Sequence, residues 1–261
     1  MPSGRGTRLI AAAAALALAT PLATAAAFGP DYAAAIAGLP DWRGVWGYVG
    51  GPIFGDPGLA AGRNDTSVRD HPPYNAEWEA LYEANIARRA AGEQIDPVAA
   101  CLPHGMPRMM GPMPHPSARA EPIEFIVTPG EVWIITEWGP QIRRIYIDAE
   151  HPPAEELYPT FTGHSVGHWE GDTLVVDTVS IREGLYDRTG APHSDQIHIV
   201  ERIRMTDADT IEDRMVIEDP VAFTEPWAVT RSFYRKAPED RLYDFSCLEG
   251  QDFVATLPPA D

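Results

Sequence analysis

The stretch "IEFIVTPGEVWIITEW", residues 123–138, decides the fold class of this chain. Apolar and polar side chains alternate on both sides of Pro129-Gly130, and alternation with a period of two is typical of strands that bury one face. A proline–glycine pair between two such runs is a turn signal. The stretch therefore predicts two antiparallel strands joined by a short turn.

The same alternation appears in most of the chain around this hairpin. The further runs are "DWRGVWGYVGG" from Asp41, "IRRIYID", "SVGHWEGDTLVVDTVS", "IHIVERIRM", "DTIEDRMVIED", "WAVTRSFYRK" and "LYDFSCLE". Short strands at regular spacing, separated by turn residues, indicate a mainly β fold, and closing the sheet removes its exposed edges. The sequence predicts a closed or nearly closed antiparallel β-barrel of about nine strands.

Two early segments interrupt the strand pattern. Residues 75–92 place Trp78, Tyr82 and Ile86 at helical spacing, between a possible cap at Asn75 and a stop at Gly92, so we expect one early helix there. Residues 101–121 form a loop rich in proline and methionine. Its methionines are expected to cover the barrel mouth as adaptable packing. The alternative is copper binding through His104, Met106, Met109, Met110, Met113 and His115.

The first 27 residues have the pattern of a secretory signal peptide. Arg5 and Arg8 precede an apolar run that ends in small residues, and a retained anchor is the alternative. We expect residues 28–261 to form a single exported domain, periplasmic or secreted, with no further membrane span. The net charge of −18 argues against nucleic acid as a partner. In an oxidising compartment, Cys101 and Cys247 are expected to form a disulfide.

Two resemblances accompany this pattern. Gly44-x-Trp46 on the first strand resembles the G-x-W signature of lipocalin-like barrels, which implies architecture only. The set "CLPHGMPRMM", "IEFIVTPGEV", "RRIYID", "GHSVGHWEGDTLVVDT", "PHSD", "VERIRM" and "DPVAFTEPW", over roughly residues 41–250, resembles a widespread family of secreted bacterial proteins of unassigned function. That resemblance implies an exported β-rich protein and carries no catalytic residues.

The candidate chemistry lies in "GHSVGHWEGDTLVVDT", residues 163–178. A two-residue turn at Glu170-Gly171 would place His164 opposite Asp177 on one face of a hairpin. A carboxylate that orients an imidazole makes it a general base, whereas a satisfied structural pair is the alternative. A three-residue loop would instead move Asp177 to the other face. His193, in the loop "APHSD", is the candidate general acid.

A metal site is the rival reading of the same histidines. His164 and His168 reach one ion only if the strand bends at Gly167, with His193 or His198 as a third ligand. Such ligands point to zinc, or to copper if the methionine loop takes part. Otherwise no cofactor is expected.

Inward-facing arginines are a further candidate. Arg143 and Arg144 are adjacent on one strand, so one of them points inward; Arg231 and Arg235 share a face. An inward arginine is suited to binding a ligand carboxylate or oxyanion, and surface ion pairing is the alternative.

The sequence as a whole favours a cofactor-independent enzyme of the lyase, isomerase or hydratase type. His164 would act as base, Asp177 as its orienting carboxylate and His193 as acid, on a small, largely apolar molecule in the barrel. Trp133, Trp169, Trp227 and Tyr234 are the candidate pocket walls. The rivals are a periplasmic ligand- or metal-binding protein without catalysis and an envelope-interaction domain without a site.

Overall fold

The computed structural model of the protein describes residues 30–49, 72–111, 122–137, 141–187 and 189–243. The predicted signal peptide, Cys247, Met113 and His115 lie outside the described residues, as does most of the last predicted strand, "LYDFSCLE". Cys101 is not a free thiol. Its pairing with Cys247 stays a prediction.

Nine strands close into a barrel, as the alternation predicts. Around the barrel the order is β1, β11, β10, β9, β6, β5, β4, β3, β2 and back to β1. The strands are β1 (Val45–Val49), β2 (Pro122–Val127), β3 (Glu131–Thr136), β4 (Gln141–Ile147), β5 (His164–Glu170), β6 (Thr173–Val179), β9 (His198–Asp207), β10 (Thr210–Glu218) and β11 (Trp227–Arg235). The short strands β7 (Gly184–Leu185) and β8 (Pro192–His193) form a separate two-stranded sheet.

The expectation of a purely antiparallel barrel is wrong at one seam. Strands β4 and β5 are parallel, with Ile145 opposite Ser165 and Ile147 opposite Gly167. Parallel neighbours require a crossover, and residues 148–163 supply it. The segment includes a 3-10 turn at Ala154–Glu156 and forms a bridge between Thr160 and Ile181. The barrel is therefore mixed, and this crossover brings a loop along its outer wall.

Two α-helices lie beside the barrel among the described residues. The predicted helix is confirmed as α2 (Ala76–Ala90), and the Asn75 side chain caps it by accepting hydrogen bonds from the backbone N–H groups of Glu77 and Trp78. The shorter α1 (Pro30–Ala37) was not predicted. None of the helices among the described residues is long and apolar enough to cross a membrane.

The barrel core follows the period-two pattern of its strands. In β3, for example, Val132, Ile134 and Thr136 are buried while the residues between them are half-buried. The pattern also separates the adjacent arginines, because Arg143 is buried inside the barrel whereas Arg144 lies outside, over the Trp133 ring. The expectation that one of them points inward is confirmed.

The described part of the proline- and methionine-rich loop packs into the core. Met106, Met109 and Met110 are almost fully buried, and a 3-10 turn spans Arg108–Met110. The backbone N–H of Met106 donates to the carbonyl oxygen of Phe161 at 2.8 Å. These methionines fill space between the loop and the barrel, as expected for flexible apolar side chains.

The hairpin of β5 and β6 differs from the predicted register by two residues. Glu170 opposes Thr173, so Gly171 and Asp172 form the turn, and Gly171 has a φ of 66°. Type II′ turns need a positive φ at their first central residue, where glycine has no steric cost. The predicted turn had placed Gly171 second. Because the shift is an even number, each side chain keeps its predicted face.

Candidate functional site

A row of polar side chains crosses the outer face of strands β5, β6 and β9. His164 on β5 directly opposes Val179 on β6, and Asp177 directly opposes Val166 and Val200 in the next row. The expectation that His164 and Asp177 are direct cross-strand neighbours is therefore wrong. They lie diagonally on one face, and that face points away from the barrel core, in which Ser165 and Thr178 are buried.

A third residue, His151, joins His164 to Asp177. It lies in the crossover, and its Nδ1 is 2.8 Å from Nδ1 of His164 while its Nε2 is 3.0 Å from Oδ1 of Asp177. The His164 ring also stacks on Tyr146 of β4, with ring centroids 5.4 Å apart. The crossover thus supplies the link that the direct pairing would have made.

A fourth residue, His198, extends the row to β9 and β10. Its Nε2 is 3.0 Å from Oδ2 of Asp177, and its Nδ1 is 3.3 Å from Oε2 of Glu218. Asp177 therefore bonds a different histidine with each oxygen. We call His164, His151, Asp177, His198 and Glu218 the outer-wall network.

The pKa values of His164 and His198, in the outer-wall network, are shifted in opposite directions. Partial burial, followed by the charge of His151, lowers the pKa of His164. Burial also disfavours the charged form of His198, but hydrogen bonds and charges from Asp177 and Glu218 outweigh it and raise its pKa. Compared with an ordinary histidine, the neutral form is favoured at His164 and the protonated form at His198. Paired groups whose pKa values are pushed apart are suited to base and acid roles.

A cleft lies beside the protonated end of this network. It has a volume of about 310 Å³ and is lined by His198 and Glu218 together with apolar groups that include Phe223, Pro220 and Pro226. Ligand sites are usually concave and mainly apolar, with a few polar groups that fix orientation. This cleft combines such apolar groups with several carboxylates, because Asp219 and Glu225 also line it.

His193 does not join the outer-wall network. It is buried in β8, where its Nδ1 lies 3.1 Å from the carbonyl oxygen of Ser194, and its ring centroid is 5.0 Å from that of Tyr186. Burial lowers its pKa to about 4. His193 is also one of the residues lining a small cavity of about 40 Å³, together with buried His104.

The four candidate wall aromatics lie apart from one another. Trp133 and Tyr234 are on outer faces of β3 and β11. Trp169 points inward and packs edge-on against Trp42 at 5.3 Å, while Trp227 packs against Tyr186 and Phe223. The structure does not bring them together into one pocket wall.

The histidines of the metal hypothesis are also separated. His168 is exposed on the outer face, with its Nε2 3.4 Å from Oε1 of Glu170, while His193 is buried in the small sheet. Within the described part of the chain, no group of three or more histidine, cysteine, aspartate or glutamate side chains is arranged to hold a metal ion.

Sequence reasoning missed His151 entirely and treated His198 only as a spare metal ligand. His151 stands in "DAEHPPAEE", a loop with no strand or helix pattern, and nothing in that segment points to β5. His198 lies on the same face of β9 as Val200 and Arg202, so its outward direction was readable, but its neighbour Asp177 depends on the pairing of β6 with β9.

The chain matches no protein-family model, and no curated protein matches it. The geometry of the site is therefore the guide to function.

Proposed function

We propose that the outer-wall network performs general acid–base catalysis, with His164 as base, His198 as acid and Asp177 between them. This places the chain among cofactor-independent enzymes of the lyase, isomerase or hydratase type. The observation that carries the proposal is the carboxylate of Asp177, which the two histidines share. It contacts His198, whose pKa is raised, directly, and it is linked to His164, whose pKa is lowered, through His151.

The hydrogen-bond order is consistent with the base role. If Nε2–H of His151 donates to Asp177, Nδ1 of His151 accepts a hydrogen bond from Nδ1–H of His164. The lone pair on Nε2 of His164 is then available to take a proton. Protonation of His164 at Nε2 creates a positive charge, which Asp177 stabilises by way of the hydrogen bonds of His151. His151 is thus a positioning residue, with Asp177 as the charge that stabilises the imidazolium.

At the other end, His198 holds the proton to be given to the substrate. Its two nitrogens lie near Asp177 and Glu218, which favour the imidazolium form. Its ring lines the cleft beside Phe223, Pro220 and Pro226. We propose that a small, largely apolar substrate binds in this cleft, outside the barrel, with its polar group towards the histidines.

The shared signature of such reactions is exchange of a carbon-bound proton with solvent. A panel of simple ketones, enones and β-hydroxyketones incubated with the protein in D₂O should contain a compound that gains deuterium, detected by mass spectrometry. We expect His164→Gln and His198→Gln to lower the exchange rate by roughly 100-fold or more, since one positioned acid or base contributes about 10²–10⁴-fold.

His168→Gln is the matched control, because His168 lies on the same strand and face as His164 but bonds only Glu170 among the described residues. Its exchange rate should equal that of the unmodified protein. Failure of every compound in the panel to exchange, or exchange that persists in His164→Gln and His198→Gln, would refute the proposal.

We also propose that the protein is exported as a single domain. The pattern of residues 1–27 supports a cleaved signal peptide and a periplasmic or secreted single domain over 28–261. We likewise propose that the chain is related to secreted bacterial proteins and resembles lipocalin-like barrels. We also propose that Cys101 and Cys247 form a disulfide.

A further inference from the structure

The barrel interior contains a second polar site, unrelated to the outer-wall network. Asp213 on β10 and Arg231 on β11 are direct cross-strand neighbours, and both side chains are essentially fully buried. Directly opposed residues have Cβ atoms about 4.5–5.5 Å apart, so the pair is within reach of a salt bridge.

Most of the hydrogen-bonding atoms of this pair are unused. Neither carboxyl oxygen of Asp213 has a hydrogen-bond partner among the described residues, nor do Nε and Nη2 of Arg231. Of the polar atoms of this pair, only Nη1 of Arg231 has a partner in the described part of the chain, and it donates to the carbonyl oxygen of Pro107 at 2.7 Å. Buried polar atoms are almost always paired, so four unpaired atoms on facing residues require an explanation.

The neighbouring buried ion pair shows what a satisfied arrangement looks like in the same interior. Arg143 donates to both carboxylate oxygens of Glu201, with Nη1 2.9 Å from Oε1. Its remaining donors bond the hydroxyls of Ser165 at 3.1 Å and Thr178 at 2.8 Å. The charge of Arg143 is thus neutralised and each of its side-chain nitrogen atoms is hydrogen-bonded. By contrast, two nitrogen atoms of Arg231 have no partner among the described residues.

The charge balance follows from this difference. Burial, and then the negative charge of Glu201, raises the pKa of Asp213 well above its usual range, so Asp213 is held as a neutral acid. Glu201 is already paired with Arg143. The guanidinium of Arg231 is left without its own counter-charge in a low-dielectric interior, which is costly.

The two unpaired nitrogen atoms of Arg231 also have a geometry that commonly binds carboxylates. Nε–H and Nη2–H lie on one edge of the guanidinium plane, and such an edge donates two parallel hydrogen bonds to a carboxylate. Asp213 interacts with Glu201, so the free donors are the two on this edge of Arg231. Both could bond one anionic group.

The surroundings are apolar. Asp213 lies between Ile211 and Met215 on the inner face of β10, and Phe233 adjoins Arg231 on β11. The loop carrying Met106 and Met109 is attached to this place by the Pro107 carbonyl. Methionine side chains repack readily, so this loop is the part of the wall that can yield to a ligand.

We propose that the barrel interior binds a small apolar carboxylic acid, whose carboxylate occupies the Nε–Nη2 edge of Arg231 while its hydrocarbon part packs among the core residues. The site does not depend on the acid–base proposal, because it uses other residues on the opposite face of the sheet.

Octanoate is the probe, and octanamide, of equal length but uncharged, is its matched control. Calorimetric titration of the full chain should give one octanoate per chain, bound roughly 10- to 100-fold more tightly than octanamide, as expected for hydrogen bonds to a charged group. Equal affinities, or no octanoate binding, would overturn the proposal.

Variants assign the preference to Arg231. Arg231→Met should abolish the preference for octanoate over octanamide, because it keeps the length and removes the charge. Arg204→Met, on the exposed face of β9, should leave it unchanged. A folded Arg231→Met protein that still prefers octanoate would exclude this site.

A measurement on the unmodified protein covers the case in which Arg231→Met does not fold. The three buried arginines of the described residues, Arg108, Arg143 and Arg231, should each give a slowly exchanging Nε–H signal in a ¹⁵N nuclear magnetic resonance spectrum. Octanoate should shift one of them and octanamide none. If no signal responds to octanoate, the proposal fails.

Discussion

Asp177 illustrates how one side chain sets the properties of two others. Its Oδ1 faces His151 and its Oδ2 faces His198, each at 3.0 Å. His198 bonds it directly, with Glu218 as second partner, and so holds its proton more tightly. His164 contacts the carboxylate only through His151, and burial and the His151 charge lower its pKa. The two histidines therefore differ in their partners: two carboxylates contact His198, whereas burial and His151 determine the shift at His164.

His193 behaves differently, because burial lowers its pKa by more than the hydrogen bond to Ser194 and the charge of Asp219 raise it. The neutral ring is favoured in the folded protein, with a pKa of about 4 against 6.5 for an ordinary histidine. Between these values the unfolded chain binds a proton that the folded chain does not, so this group makes stability fall as pH falls from 6.5 to 4. Above 6.5 its contribution is fully present.

We therefore predict how His193→Gln changes the pH dependence of stability. The variant lacks the titrating ring, so the difference in the free energy of unfolding between it and the unmodified protein should change by about 2 kcal/mol from pH 7 to pH 4.5, to the variant's advantage. Chemical denaturation at several pH values measures this. His168→Gln, at an exposed position, is the control. Parallel stability curves for His193→Gln and the unmodified protein would contradict the assignment.

At the scale of the element, the β5–β6 hairpin shows how a turn sets the register of a sheet. Gly171 occupies the first central position of the turn with a φ of 66°. A side chain there is strained by the backbone conformation alone, because no atom outside the turn lies within 4 Å of the position of an added Cβ. Gly130, in the β2–β3 hairpin, has the same open surroundings but no such φ.

This contrast predicts opposite effects of one substitution at two turns. Gly171→Ala should lower the free energy of unfolding by roughly 1 kcal/mol, the cost of a left-handed conformation for a residue with a Cβ. Gly130→Ala should be neutral or stabilise by roughly 0.5 kcal/mol, since it only restricts the unfolded chain. Denaturant titrations of both variants provide the measurement, and equal losses at the two sites would show that φ is not the cause.

At the scale of the whole molecule, the barrel separates two kinds of chemistry by the two faces of one sheet. On β9, His198 faces outward to the network while Glu201 faces inward to Arg143. Successive side chains on a strand point to opposite faces, so the inner and outer sites are close in sequence yet isolated from each other. Changes at one site should leave the other intact.

The predicted disulfide between Cys101 and Cys247 would constrain the whole chain. If Cys101 and Cys247 are bonded, thiol titration of the unfolded, unreduced protein should find no free thiol, and reduction should lower the free energy of unfolding by about 2–4 kcal/mol. Two free thiols per chain would rule the disulfide out.

Features of this structure that depend on local periodicity could be predicted from the sequence. Alternation predicted the strands and the barrel, helical spacing predicted α2, and the face of each side chain in residues 163–178 was correct. Side-chain direction depends only on counting along one strand, so an error of two residues in the register did not disturb it.

Contacts between distant residues, by contrast, depend on how the strands are connected and paired. His151 reaches His164 and Asp177 because the β4–β5 connection is a parallel crossover along the outer wall. Likewise, Asp177 meets His198 because β9 pairs with β6, although the strands β7 and β8 lie between them in the chain. Periodicity specifies which way a side chain points, but its partner across strands depends on chain connections that cost little free energy to rearrange and leave no periodic signal in the sequence.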